Sequence, residues 1–206
     1  FLLTILHANN EIGNIYPIEK IASICKKYNI ILHIDAAQSV GKIDLDMNKL
    51  SIDILSFSSH KMYGPKGIGG LYIKDKSDKI DLKPLMHGGG QQEGIRPGTL
   101  PVQNIVGFGK ACEICNDKMA DENDKILKLR NHLLSGLKNV IPNLIVNGEL
   151  ENRLSGNLNI AIPNIRNNSL MMSLRDIAIS NGSACTSNST EPSHVLRAIG
   201  LSKELA

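Results

Sequence analysis

Apolar and polar positions change places in short blocks over the first third of the chain. Residues 2–6, 30–34, 54–58 and 70–73 are apolar runs of strand length. Between the first two, Ile18, Ile21 and Cys25 recur at helical spacing within a polar segment. Strand-length runs alternating with helical patterns are the signature of βαβ units, so the pattern predicts an α/β fold with a mainly parallel sheet. Residues 86–99 hold His87-Gly88-Gly89-Gly90 and Arg96-Pro97-Gly98-Thr99, too much glycine and proline for a regular element. A long helical stretch follows; it breaks near Ala120 and resumes with Ile126, Leu129, Leu133, Leu137 and Ile141 on one face, until Pro142-Asn143 stops it. Beyond it, strands near 144–146 and 158–161 and a helix from about 170 to 179 read as a second, smaller α/β unit. The expected organisation is a larger domain over 1–115 and a smaller one over 116–206, with the boundary on the helix between 109 and 121.

Composition narrows the class. The 206 residues are 42% apolar, enough for a sizeable core, and with aromatics at 3% and no tryptophan that core rests on Ile, Leu and Val. A net charge of +3, from 23 basic and 20 acidic residues without a basic cluster, argues against direct nucleic-acid binding. No apolar run reaches the length of a membrane span. Cys25, Cys112, Cys115 and Cys185 have no framework spacing, which predicts free thiols in a reducing compartment, the cytoplasm or, in a eukaryote, the mitochondrion. The chain opens on Phe1 inside an apolar run and ends at Ala206 without a tail, so both ends read as cuts through a longer protein.

Chemistry gathers after the first three apolar runs. Asn9-Asn10-Glu11 follows the first, Asp35 and Gln38 follow the second, and Ser58-Ser59-His60-Lys61 ends the third. Ligands of open parallel sheets bind beyond the carboxyl ends of the strands, so these segments are expected to converge there. A lysine that can reach an aldehyde, with a buried carboxylate that can hold a ring nitrogen protonated, is the minimal equipment for pyridoxal phosphate chemistry. Lys61 and Asp35 supply that pair, with Gln38 and Asn10 as amide partners for the ring. Asp35 also suits a helix N-cap, since Ala36-Ala37 follow it.

Other motifs carry less. The run from Gly64 to Gly70 lacks the order of a nucleotide-binding loop and leads into an apolar strand, so its glycines are expected to let the chain turn sharply after Lys61. Cys112-x-x-Cys115 has no second ligand pair, and two cysteines three apart on a helix share a buried face more often than they bind metal. His7, His33, His87, His132 and His194 have no ligand spacing, and no metal site is assigned. Cys185 stands apart in Gly182-Ser183-Ala184-Cys185-Thr186-Ser187, a run of small polar residues that predicts an exposed loop. A cysteine there is a candidate nucleophile, with a redox-sensing thiol or an incidental surface cysteine as the alternatives.

Taken in order, Asn9-Asn10-Glu11-Ile12-Gly13, the run from His33 to Lys42, Ser58-Ser59-His60-Lys61, His87-Gly88-Gly89-Gly90, Arg96-Pro97-Gly98-Thr99 and the Cys185 segment resemble the cysteine desulfurases. The serine-rich segment around Cys185 resembles the group I, NifS/IscS-like branch. The resemblance covers the whole chain and about the middle half of a family member. It implies a fold-type I pyridoxal phosphate enzyme, a class-V aminotransferase-like homodimer whose two domains are both incomplete in this chain. Lys61 would bond the cofactor aldehyde and then shuttle protons. Asp35 would pair with the pyridinium nitrogen, Gln38 and Asn10 with the ring hydroxyl, and Ser58, His60 and the second subunit's copy of Thr99 with the phosphate. Cys185 would take the sulfur of L-cysteine as a persulfide, releasing alanine, for an iron–sulfur scaffold or a tRNA-thiolating acceptor. The ring-stacking histidine of the family would precede Phe1, and its carboxylate-binding arginine would follow Ala206. Competing readings are a selenocysteine lyase, an aminotransferase, which the Cys185 segment disfavours, and a non-catalytic paralogue used for docking.

Overall fold

The three apolar runs pair side by side. Leu2–Leu6 (β1), Ile31–Asp35 (β2) and Ile54–Ser58 (β3) are parallel, and Gly69–Ile73 (β4) lies antiparallel to β3, in the order β1-β2-β3-β4. A parallel crossover needs a dozen or more residues, and the short connection from β3 to β4 cannot supply one, so the chain turns straight back. The computed structural model describes residues 1–74, 80–180 and 192–205. They form two compact units, one of Phe1–His7 and Tyr16–Ala120, the other of Ala8–Ile15 and Asp121–Ala206.

The core of the first unit follows the two periodicities. Leu32 and Ile34 on β2 are fully buried, while His33 and Asp35 on the opposite face are half-buried. Helix α1, Ile18–Lys27, lays Ile18, Ala22 and Cys25 against them, with Ala36, Ile52 and Leu55 completing the cluster. Each fully buried Ile or Leu contributes about 1.5–3 kcal/mol relative to exposure. Cys25 here acts as a small apolar residue.

Helix α2 runs unbroken over Val102–Val140, through the expected break at Ala120. No proline interrupts the segment. The apolar spacing changes there because residues on either side of Ala120 belong to different units, so the stripe changes its surroundings while the backbone continues. The second unit pairs Ile145–Val146 (β5) antiparallel to Ile160–Ala161 (β6) and carries helices α3, Asn167–Ser173, and α4, His194–Ala198. The helix expected to reach residue 179 ends early: Leu174 leaves helical dihedrals (φ −105°, ψ 52°), and the β-branched Ile177 and Ile179 beyond it favour helix weakly. Among the described residues no helix is long and apolar enough to cross a membrane.

The glycines after Lys61 serve close approach. A Cβ on Gly64 would overlap Ser59 Oγ, and one on Gly70 would stand 2.5 Å from the Phe57 ring. Gly64→Ala in the full-length protein is therefore expected to cost about 1–3 kcal/mol through overpacking. The check is the urea midpoint, and an unchanged midpoint would show that the turn can relax.

Candidate active site

Backbone hydrogen bonds lock the carboxyl end of β2. The Asp35 carbonyl accepts the His7 N–H (2.9 Å), and the Ala36 N–H donates to the Ser56 carbonyl (2.8 Å). Asp35 Oδ1 accepts the Ala37 N–H at 2.9 Å. The carboxylate thus caps the segment after it, but that segment is a turn, closed by Ser39 and Val40 N–H groups on the Ala36 carbonyl, and not an α-helix. Asp35 is half-buried, less enclosed than the sequence suggests, and its second oxygen has no partner among the described residues. Gln38 sits half-buried in the same turn.

The neighbouring strand end presents the other groups. Ser58 closes β3, and a 3-10 turn follows over Ser59–Met62. Ser59 and Met62 point into the protein, so His60 and Lys61 are left exposed. Ser58 Oγ lies 2.8 Å from His60 Nδ1. Lys61 has no hydrogen-bond or ion-pair partner among the described residues. Gly41 (φ +75°) brings the turn after Gln38 against this one: a Cβ there would meet Cys115 Sγ at 2.9 Å and Met62 Cβ at 3.0 Å. Cys115 Sγ also reaches the Met62 carbonyl at 3.9 Å. The close approach sets Lys42 within electrostatic range of Lys61. Burial first, and then the charge of Lys61, hold the Lys42 ammonium below the usual lysine range, with Cys115 acting in the opposite direction. Nothing in the spacing of Lys42 marked it; only its place in the run from His33 did.

The remaining predicted residues are placed differently. Thr99 is exposed in the first unit, next to Gly98, whose N–H donates to Gln91 Oε1 at 3.0 Å; no hydrogen bond described joins Thr99 to the groups above. Asn10 belongs to the second unit, exposed at the tip of a tight turn. Cys185 lies outside the described residues. Cys112 is exposed and Cys115 half-buried, so the two do not share a buried face. No metal-binding cluster occurs among the described residues. Among the described residues, buried groups that the sequence did not mark include the His7 imidazole, its pKa pushed down by burial against the opposing charge of Glu19, and the Glu11 carboxylate.

A partnerless amine, a carboxylate with one uncommitted oxygen and a hydroxyl–imidazole pair thus stand at the ends of adjacent parallel strands. Such a set can bond a carbonyl, hold a cationic ring N–H and bind an oxyanion. The aminotransferase class-V family model matches residues 1–202. The chain is 51% identical over 205 residues to the cysteine desulfurase IscS of Ruthia magnifica subsp. Calyptogena magnifica and 53% identical to that of Actinobacillus succinogenes. All of this chain is covered in both, and it spans about half the length of these curated relatives, 50% of each. A solved NifS-like protein matches with a TM-score of 0.88 at 38% identity, covering 100% of this chain and 53% of that one. The structure of SspA in complex with cysteine matches at 0.80 and 40% identity, covering 100% and 56%.

Proposed function

The chain belongs to the aminotransferase class-V family, and from that premise we propose that it is part of a pyridoxal phosphate-dependent cysteine desulfurase, taking sulfur from L-cysteine and leaving alanine. The observation that carries this reading is the pairing of Asp35 at the end of β2 with Lys61 just beyond β3. The donor set fits the cofactor: a carboxylate for a ring N–H, an amine for an aldehyde, and hydroxyl and imidazole groups for a phosphate.

When bound, the cofactor supplies an electron sink that lets the substrate α-proton leave and weakens the Cβ–S bond. The chain's own residues do the rest. Asp35 would hold the ring N–H, its Oδ1 being already committed to the Ala37 N–H. Gln38 and, on the family resemblance, Asn10 would contact the ring hydroxyl. Ser58 and His60, already paired, would hold the phosphate, with Thr99 of the second subunit of a homodimer. Lys61 Nζ would hold the cofactor by its aldehyde and carry the α-proton. Cys185 Sγ takes the sulfur as a persulfide and hands it to an iron–sulfur scaffold or a tRNA-thiolating acceptor. No disulfide joins Cys25, Cys112 and Cys115 among the described residues, and the setting proposed for the enzyme is the cytoplasm.

With a thiol reductant present to reduce the persulfide, the full-length protein is expected to be yellow and to release sulfide and alanine from L-cysteine in equal amounts. A colourless full-length protein would sink this reading.

A further inference from the structure

The turn that carries Asn10 is held from several sides within the second unit. Asn9 Oδ1 accepts the N–H groups of Glu11 (2.8 Å) and Ile12 (3.0 Å), and the Gly13 N–H donates to the Asn9 carbonyl (3.1 Å). Asn157 and Asn159 side-chain amides donate to the Glu11 carbonyl at 3.0 and 3.2 Å. Asn10 is thereby left exposed at the tip while Glu11 turns inward to 5% exposure.

A buried carboxylate is costly unless it is hydrogen-bonded. Glu11 Oε2 accepts from Ser193 Oγ at 2.5 Å, a charge-assisted bond between residues 182 positions apart. The same hydroxyl oxygen accepts the Leu196 N–H at 3.2 Å, as the N-cap of α4. A helix cap needs only the acceptor. Spending the hydroxyl proton on Glu11 is therefore a second, separate function of Ser193, and the two bonds together fix one orientation of its side chain. Ser193 also stands shortly after Cys185 in the chain.

We infer that Glu11 and Ser193 are a positioning pair, tying the turn that carries Asn10 to the start of α4 within the second unit, and that this tie serves the sulfur-transfer step. The inference rests on the desulfurase reading above.

The test uses the full-length protein with its cofactor and a thiol reductant that frees sulfide from the persulfide. Ser193→Gly keeps an acceptable cap but has no hydroxyl to give Glu11. It is expected to lower kcat for sulfide release about ten- to a hundredfold. KM for L-cysteine should stay within about twofold, as for an interaction that matters in the sulfur-transfer step and not in binding. The visible absorbance should not move. Ser193→Thr, which restores the hydroxyl, is expected to recover the rate. On the other side of the bond, Glu11→Gln keeps an acceptor and most of the rate, whereas Glu11→Met loses it. The double variant Glu11→Met with Ser193→Gly should be no slower than either single one. Ser193→Gly and Ser193→Thr at equal rates, or Glu11→Met at the rate of Glu11→Gln, would overturn the pair as a positioning device and leave a helix cap alone. Those outcomes in a protein that itself releases sulfide would leave the desulfurase reading standing; absence of sulfide release from the unmodified protein would remove that reading instead.

Discussion

Lys61→Ala in the full-length protein is expected to abolish the yellow colour of attached cofactor and to lower kcat for sulfide release about 10³-fold or more. The loss should be chemical and not structural. Lys61 is exposed, and the turn that carries it is anchored by buried Ser59 and Met62, so truncating the side chain should change stability by no more than about 0.5 kcal/mol. Lys61→Arg should fail as fully, because a guanidinium keeps the charge but does not bond a carbonyl. Lys42 sharpens this test, being a second amine close enough to feel the charge of Lys61 and held below the usual lysine range. Borohydride reduction followed by peptide mapping should therefore place the cofactor on the peptide containing Lys61. Cofactor on the Lys42 peptide, or Lys61→Ala within tenfold of the unmodified rate, would move the assignment.

What could be read along the chain, and what could not, divides by the range of the interaction. The ends of β2 and β3 were legible because the apolar run and the chemical residues adjoin in sequence. Asp35 ends one strand, and Lys61 comes shortly after another, that the apolar runs at 30–34 and 54–58 predict. Helix α2 was misread at Ala120 because hydrophobic spacing reports what a helix packs against, and that changes where the backbone does not. Lys42 and Glu11 were within quoted motifs but without roles. Lys42 acquires its environment through Gly41 meeting Met62 and Cys115, and Glu11 through a serine 182 residues away. No local pattern encodes such partners. Residues 8–15 also look like a simple continuation of β1, yet they belong to the second unit, where Asn14 bridges to Arg153.

Cys185→Ala should abolish sulfide release while leaving the colour intact, whereas Lys61→Ala should lose both. The argument is one of elimination joined to chemistry. A thiol is needed to receive sulfur as a persulfide, since neither an amine nor a carboxylate can hold it. Cys25 is buried on the inner face of α1 and Cys115 leans on the Met62 carbonyl. Cys112 is exposed, but on a helix surface with none of the cofactor-directed residues adjacent in sequence. Cys185, outside the described residues, lies among Gly182, Ser183, Ala184 and Ser187, small neighbours that let a thiol be approached closely by one partner and then by another. Loss of a nucleophile that acts alone is expected to cost about 10³-fold or more in kcat. Cys185→Ser should do no better, while Cys112→Ala should keep the rate. After reaction with L-cysteine in the absence of an acceptor, mass mapping should find one extra sulfur on the peptide containing Cys185. Full sulfide release by Cys185→Ala, or the extra sulfur on the Cys112 peptide, would place the nucleophile elsewhere.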